Sequence, residues 1–463
     1  MRHAQWVVGL AMIAGCSTSA ANTSDATSGG SFHLPIQYRT LANGLRVVLS
    51  PDHSAPLVTV AVYYHIGFRL EPRGRTGFAH LFEHLMFQGS EHLGKTEFAR
   101  LVEQNGGNFN GSTRFDFTNY YETVPSNTLE MFLWAEADRM HSLAITKDNL
   151  TNQQGVVKSE VRENVLNLAY GGFPWLDMPQ YANTNWSNAH NFYGDLRDID
   201  AATLRDASSF HQQYYAPNNA VLVVCGDLDS AQTSRWIDAY FASIPRAPAP
   251  PAVDISEPRQ DKEIRARKTD SLATRPALAF AYHVPSRNTP EYFAMGLIDQ
   301  ILLQGNDSRL YQSVVQRAGL AGDVTGGINL LGNMFDYEGP MLWIGYLYHD
   351  RNTSDVDILR VVDATIDSLM TAPVDPTVLA RARVKARAQL YATLGDVTGG
   401  EADILASYAL FDNDPSRVNT IDSSFAAVTP ALIQRTAQEY LRPTNRTVLT
   451  VLPGKAGDAT VVQ

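Results

Sequence analysis

Two histidines and a glutamate within five residues, in the segment His80-Leu81-Phe82-Glu83-His84, have the types and spacing that a hydrolytic metal site needs. On a helix, His80 and His84 would stand one turn apart on one face, so both imidazoles could bind a single zinc ion. Glu83 would lie close enough to take a proton from a water molecule that the zinc activates. Histidine is scarce, with 12 in 463 residues, so this pattern rarely arises by chance in such a chain.

The residues around this pattern predict a helix that holds the two histidines. Thr76 is placed to cap its start, Phe78 and Leu85 belong to an apolar flank, and Gly89 is placed to end it. A catalytic zinc site takes three protein ligands, so one more donor must come from elsewhere in the chain.

A second predicted helix, over residues 153–164, offers two candidates for the third ligand. Its valines recur at helical spacing, and Glu160 and Glu163 both lie within it. A carboxylate in a charged helix is more often solvated than bound to a metal, so spacing alone leaves both candidates open.

At these residues the chain resembles the pitrilysin family of inverted-motif zinc peptidases, which includes insulin-degrading enzyme and the mitochondrial processing peptidase. In that family a V-V-x-x-E sequence supplies the third zinc ligand at about this interval, which implies Glu160 rather than Glu163. The resemblance also implies one zinc ion per chain, and an endopeptidase that hydrolyses peptides or small unfolded proteins. It further implies an edge strand at Asn110 and Gly111 that pairs with the extended substrate.

Chain length and a proline-rich stretch predict the domain organisation. A chain of 463 residues with 44% hydrophobic content is too long for one ordinary core, so two domains are expected. The prolines of residues 245–251 mark the boundary. We therefore predict a zinc-bearing domain over 32–245, a linker over 246–268 and a homologous, inactive C-terminal domain over 269–463.

The two halves look like copies of one unit. Residues 60–65 match 279–283, and residues 214–219 match 440–445. A tandem duplication is the simplest explanation. Alternating strands mixed with long helices predict an α+β fold, and the family architecture implies a mainly antiparallel sheet in each domain with helices packed on one face.

The second copy lacks the metal-binding residues. Gly296, Asp299 and Gln300 align with the two histidines and the glutamate, so this copy cannot hold zinc in the same way. In active family members an arginine and a tyrosine of the second domain hold the substrate and the oxyanion, but Val315 and Gly322 occupy those positions here. The resemblance therefore implies a zinc-bearing subunit that forms a heterodimer with a homologous chain carrying the missing pair.

Two alternatives stay open. Arg309, Tyr311 or Arg317 could replace the missing pair within this chain. The chain could also be a non-catalytic binding or assembly subunit of a processing-peptidase-like complex that keeps its metal site only for structure. An intact Glu83 favours the peptidase, because a structural metal site has no need of a base, whereas the missing arginine and tyrosine favour the non-catalytic subunit.

The N-terminal residues predict the cellular compartment. The apolar run 6–14 is too short to span a membrane and leads into Ile13-Ala14-Gly15-Cys16, which resembles the bacterial lipobox. We expect a lipoprotein signal peptide over 1–16, lipidation of Cys16, and a flexible tether over 17–31. The protein would then be anchored in the bacterial envelope, at the outer membrane and facing the periplasm. A plain secretory signal is the alternative.

Net charge excludes one class of partner. The formal net charge is −11 at pH 7, which argues against nucleic-acid binding and gives no support to a basic membrane-binding surface. Cys225 lies in an apolar stretch and is expected to be an inert core residue.

Overall fold

Two β-sheets, one from each half of the chain, organise the structure, which is a computed structural model describing residues 33–396 and 399–454. The predicted signal peptide, Cys16 and the tether over 17–31 lie outside the described residues. Within the described part of the chain, no helix combines the length and the apolar character needed to cross a membrane.

The first sheet has six strands in the order β1-β2-β6-β3-β5-β4, and the second has five in the order β7-β11-β8-β10-β9. Each sheet contains one parallel pair, β2 with β6 and β7 with β11, and its other neighbouring strands are antiparallel. The strands are β1 (Gln37–Thr40), β2 (Arg46–Pro51), β3 (Leu57–Tyr64), β4 (Asn108–Thr113), β5 (Thr118–Pro125), β6 (Ala220–Gly226), β7 (Ile264–Asp270), β8 (Ala277–His283), β9 (Thr325–Ile328), β10 (Leu342–Tyr348) and β11 (Arg446–Pro453).

Apart from β1, the two sheets have the same topology, because β2-β6-β3-β5-β4 corresponds strand by strand to β7-β11-β8-β10-β9. The predicted α+β fold with two similar, mainly antiparallel domains is confirmed. Strand β7 begins at Ile264, inside the segment 246–268 that was expected to be linker. Its charged residues are typical of a loop. However, every second residue of β7 is half-buried, which is the alternation expected of a strand at the edge of a sheet.

The helices are α1 (Phe78–Leu85), α2 (Glu97–Gln104), α3 (Leu129–Ser142), α4 (Lys147–Val161), α5 (Asp177–Ala182), α6 (Trp186–Ala189), α7 (Leu196–Ala201), α8 (Leu204–Tyr214), α9 (Ser230–Phe241), α10 (Pro290–Leu302), α11 (Asp355–Thr371), α12 (Pro376–Leu394), α13 (Gly400–Asp412), α14 (Ile421–Ala427) and α15 (Pro430–Tyr440). Two segments are π-helical, Arg162–Leu166 directly after α4 and Tyr311–Arg317.

Each sheet carries its own helices on one face and a helix from the other half on the opposite face. In β3, Val62 packs in the core with α1, whereas the Tyr63 hydroxyl donates to Asp403 of α13 at 3.0 Å. Successive residues of a strand point to opposite faces, so α1 and α13 cover opposite faces of the first sheet. In the second sheet, Met178 of α5 packs with Ala279 of β8. The two halves have therefore exchanged α5 and α13.

Candidate metal centre

Helix α1 presents its two histidines to Glu160 of α4, which packs beside it. His80 Nε2 lies 3.5 Å from Glu160 Oε1, and His84 Nε2 lies 3.1 Å from Glu160 Oε2. One donor atom from each of the three residues falls within 4.8 Å of the other two. Glu163, the rival candidate, is exposed in the π-helical segment and is not part of this group.

The donor atoms are close enough together to bind one zinc ion. Ligand atoms about 2.0–2.1 Å from a tetrahedral zinc ion are about 3.3 Å apart, and the contacts of 3.1 and 3.5 Å, each to a different oxygen of Glu160, are near that value. One set of three donor atoms lies within 4.8 Å. Two imidazole nitrogens and one carboxylate also form a donor set typical of catalytic zinc, with a fourth position left for water. The residues present therefore fit a zinc ion.

The surroundings of the three groups favour the protonation states that bind a metal. Burial lowers the pKa of His80, which favours its neutral form. Burial alone would raise the pKa of Glu160, but the hydrogen bond with His84 and the neighbouring imidazoles outweigh it and lower that pKa. Burial opposes protonation of His84, yet its hydrogen bond with Glu160 and the nearby carboxylates raise its pKa. A bound cation would displace that proton, which couples metal binding to pH.

Glu83 lies beside this donor set but does not belong to it. The hydroxyl of Thr113 donates to Glu83 Oε2 at 2.6 Å, and Thr113 is buried at the end of strand β4. The Glu83 side chain is therefore held from both sides, by its own helix and by the sheet. This role of Thr113 could not be predicted, since nothing in the local sequence pattern shows that Thr113 meets α1.

Strand β4 also contains the two residues expected to pair with substrate. Asn110 and Gly111 pair with Tyr121 and Tyr120 of β5, and β4 is the last strand of its sheet. A Cβ atom on Gly111 would stand 3.2 Å from the Phe87 ring and from the Asn119 carbonyl oxygen, so a larger residue would crowd this edge. The edge and the Glu83 contact lie on one short strand.

Comparison with known proteins assigns the family. The family model described as Insulinase (Peptidase family M16) matches residues 46–188, and the model described as Peptidase M16 inactive domain matches residues 201–385. The chain belongs to the M16 peptidase family. The match of the M16 inactive-domain model agrees with a second copy in which other residues replace the histidines.

Relatives and solved structures extend the M16 similarity over most of the chain. The zinc protease PqqE of Helicobacter pylori is 26% identical over 422 residues, covering 89% of this chain and 92% of that protein. An uncharacterised zinc protease of Streptomyces coelicolor is 23% identical, covering 88% and 87%. The crystal structure of a protease from Helicobacter pylori superimposes with a TM-score of 0.84 at 25% identity, covering 91% of this chain and 100% of that one.

The start of helix α1 is held differently from the prediction. Helix α1 begins at Phe78 after Gly77, which has φ of 79° and no capping side chain, so the prediction that Thr76 caps it was wrong. The left-handed turn at Gly77 directs the Thr76 hydroxyl to Asp198, at 2.7 Å. The buried Glu71 carboxylate takes the capping role, accepting the Gly77 N–H at 2.8 Å and the Ala79 N–H at 2.6 Å.

Two further residues lie next to the candidate metal ligands. The Tyr193 hydroxyl donates to Glu160 Oε1 at 3.2 Å. Gln153, buried on α4 two helical turns before Glu160, lies close enough to His84 to help raise the pKa of that imidazole. Neither residue was predicted. Gln153 lies on the predicted helix face of Glu160 and could have been found from that spacing, whereas Tyr193 lies in a loop with no periodic pattern.

In the second half of this M16 chain, the aligned residues have other partners. Asp299 is 8% exposed and accepts a hydrogen bond from Trp343 Nε1 at 2.7 Å. Gln300 donates to Gln389 Oε1 at 2.9 Å. Arg309, one possible replacement for the missing arginine, donates to Ser368 Oγ at 2.7 Å within the same half. Each of these side chains therefore has its own hydrogen-bond partner within the second half.

Proposed function

We propose that this chain is a zinc-dependent endopeptidase in which His80, His84 and Glu160 bind one zinc ion and Glu83 is the general base. The observation that supports the proposal is that the three candidate ligands and the candidate base form separate groups around α1. Three donor atoms converge within 4.8 Å. A fourth group, Glu83, stands outside them and is oriented separately by Thr113. Several relatives are named zinc proteases, which supports the same reaction class.

The reaction proposed is hydrolysis of a peptide bond by water. A bound zinc ion would lower the pKa of a water molecule from about 15.7 towards about 7. Thr113 occupies Glu83 Oε2, which leaves Oε1 free to accept the proton from that water. Glu83 can then pass the proton to the departing amine. Peptides and small unfolded proteins are the proposed substrates, because pairing with the free edge of β4 at Asn110 and Gly111 requires an extended chain.

The proposal extends to a partner and a location. A homologous chain would supply the arginine and tyrosine, forming a heterodimer; Val315 and Gly322 at the aligned positions support this. Two oxyanion donors are each worth about 100 to 1000-fold in rate, so the isolated chain would cleave peptides slowly. Lipidation of Cys16 would place the complex at the bacterial outer membrane, facing the periplasm; the lipobox-like sequence supports this part.

Zinc analysis and peptide cleavage, measured on the same variants, test the central proposal. Glu83→Gln should retain zinc and lose hydrolysis by about 100 to 10,000-fold, because only proton transfer is removed. Glu160→Ala should lose zinc, while the matched control Glu163→Ala should keep both zinc and activity. Full zinc in Glu160→Ala would overturn the ligand assignment. If Glu83→Gln leaves cleavage by the purified complex unchanged, Glu83 is not the base; if wild type shows no cleavage even with the homologue, the non-catalytic alternative replaces the peptidase.

A further inference from the structure

The loop over residues 190–195, between α6 and α7, contacts both helices that carry the proposed metal ligands, α1 and α4. Tyr193 in this loop is 5% exposed, and its hydroxyl donates to Glu160 Oε1 of α4 at 3.2 Å. Its ring stands edge-on to the imidazole of His80 on α1, with centroids 5.1 Å apart and an interplanar angle of 78°. One side chain therefore contacts ligands from two different helices.

The backbone of this loop is fixed against the start of α1. A Cβ atom on Gly77 would stand 2.4 Å from the Tyr193 carbonyl oxygen, and one on Gly194 would stand 2.2 Å from the Gly77 nitrogen. Only glycines allow this approach. The Asp195 N–H donates to Thr76 Oγ1 at 2.8 Å and closes the contact. The position of Tyr193 is therefore coupled to that of α1.

Glu160 needs such an external contact. It is the second-to-last residue of α4, and the regular helix gives way to a π-helical segment at Arg162. Its side chain is 27% exposed and reaches the histidines through freely rotating bonds. A hydrogen bond to Oε1 sets the plane of the carboxylate and presents Oε2, which lies 3.1 Å from His84 Nε2, towards the metal position.

His80 lacks the hydrogen bond that usually orients a metal-binding imidazole. Its Nδ1 atom is buried and has no hydrogen-bond partner among the described residues. Metal-binding histidines usually donate this second N–H to a carboxylate, a carbonyl oxygen or water. Here the rings of Tyr193 and Phe192, with centroids 5.1 and 5.4 Å from that of His80, hold the imidazole by packing.

We propose that Tyr193 is a positioning residue of the metal centre, whose hydroxyl orients Glu160 and whose ring orients His80. The inference rests on the proposed zinc site and assigns it a contact outside its ligands. A phenylalanine here would keep the ring packing and lose only the hydrogen bond, so Tyr193→Phe isolates the role of the hydroxyl. Partners of metal ligands commonly change metal affinity by about 10 to 100-fold.

Zinc titration against a competing chelator tests the inference. Tyr193→Phe should weaken zinc binding about 10 to 100-fold, and the absorption spectrum of its cobalt-substituted form should differ from that of wild type. Unfolding of the zinc-free proteins should be the same, which separates positioning from a loss of fold. Tyr240→Phe is the matched control, because the Tyr240 hydroxyl donates to Glu130 at 2.9 Å on the exposed surface of the same half. Its zinc affinity should equal that of wild type.

The two levels of proposal fail in different ways. If wild type binds zinc and Tyr193→Phe binds it equally well with an unchanged cobalt spectrum, the positioning role is wrong and the metal site stands. If wild type binds no zinc, the metal site itself is wrong. A weaker affinity that accompanies an equal loss of stability in the zinc-free protein would also overturn the positioning role.

Discussion

Helices α1 and α10 occupy corresponding places in the sequences of the two halves, yet their polar residues are held in opposite ways. On α1, His80 and His84 converge on Glu160. A loop residue donates a hydrogen bond to Glu160, and an edge-strand residue donates one to Glu83. On α10, Asp299 and Gln300 each have a separate partner. Most buried polar groups are hydrogen-bonded in either case. A metal site additionally requires several such groups to point at one place. In the first half, contacts from distant segments of the chain orient them in this way.

The starts of the two helices differ in the same way. Helix α10 has a local cap, because the Thr289 side chain accepts the Tyr292 N–H and Pro290 occupies the first turn. Helix α1 relies on Glu71, a buried residue of the preceding loop. Substitutions that make one half resemble the other therefore test whether the contacts that distant segments make with α1 are needed for metal binding.

The largest expected effect comes from giving α1 the residue found on α10. His84→Gln should weaken zinc binding by about 100 to 1000-fold, because one ligand carries about a quarter of the roughly 10–16 kcal/mol with which proteins hold structural zinc. The reverse change, Gln300→His, should leave the zinc content at one ion per chain. Metal analysis of both variants measures the outcome. A second zinc ion in Gln300→His would show that the second half can also bind zinc, despite the separate partners of its polar residues.

The buried carboxyl group of Asp299 should make the second half sensitive to pH. Burial raises its pKa to about 6, despite the hydrogen bond from Trp343. The value in an unfolded chain is about 3.9, so the protonated group favours folding below about pH 4, and this contribution is lost as the pH rises through 6. The difference is about 3 kcal/mol. Asp299→Asn keeps the acceptor without the titration.

Urea unfolding of the zinc-free proteins measures this effect. The free energy of unfolding of Asp299→Asn, relative to wild type, should rise by about 3 kcal/mol between pH 4 and pH 7.5. A difference between the two proteins that does not change with pH would show that Asp299 does not titrate in this range.

Removing the distant cap of α1 should affect both stability and zinc. Glu71→Ala leaves the N–H groups of Gly77 and Ala79 without their acceptor, at a cost of about 2 kcal/mol in the free energy of unfolding. Zinc affinity should also fall, because both histidines lie on the helix that loses its cap. Denaturant unfolding combined with zinc titration checks this; unchanged zinc binding would show that the ligands hold α1 without the cap.

The smallest effect is expected at the local cap of α10. Thr289→Ala removes the hydrogen bond to the Tyr292 N–H and should cost about 1 kcal/mol. Zinc affinity should not change, since no metal-binding residue lies on α10. The same unfolding and zinc measurements make Thr289→Ala the counterpart of Glu71→Ala, and an equal loss of zinc affinity in the two variants would contradict the separation drawn between the halves.

Spacing along one helix could be read from the sequence, and contacts between distant segments could not. The positions of His80 and His84 follow from the 3.6-residue period, whereas choosing Glu160 over Glu163 required a resemblance to known peptidases. Tyr193 lies 33 residues beyond Glu160 in a loop, so no local pattern connects them. Thr76 has the right type for a helix cap, but the left-handed turn at Gly77 redirects it.

The fold shows the same limit at a larger scale. The internal repeat predicted two similar sheets, which the strand orders confirm. Nothing in the sequence shows which sheet α5 and α13 cover, because periodicity identifies a buried side but not the element it packs against. The charged residues of β7 concealed a strand because its burial depends on neighbours that come later in the chain.

The exchange of α5 and α13 has a consequence for how the chain is made. Strands of the first sheet are complete at Gly226, but the helix that covers one of its faces begins only at Gly400. A ribosome adds about 5–20 residues per second, so that face stays uncovered for roughly 9–35 s during synthesis. During that interval one apolar face of the first sheet is exposed to solvent. A chaperone that binds nascent chains would therefore have to protect this face for longer than the face covered by α1.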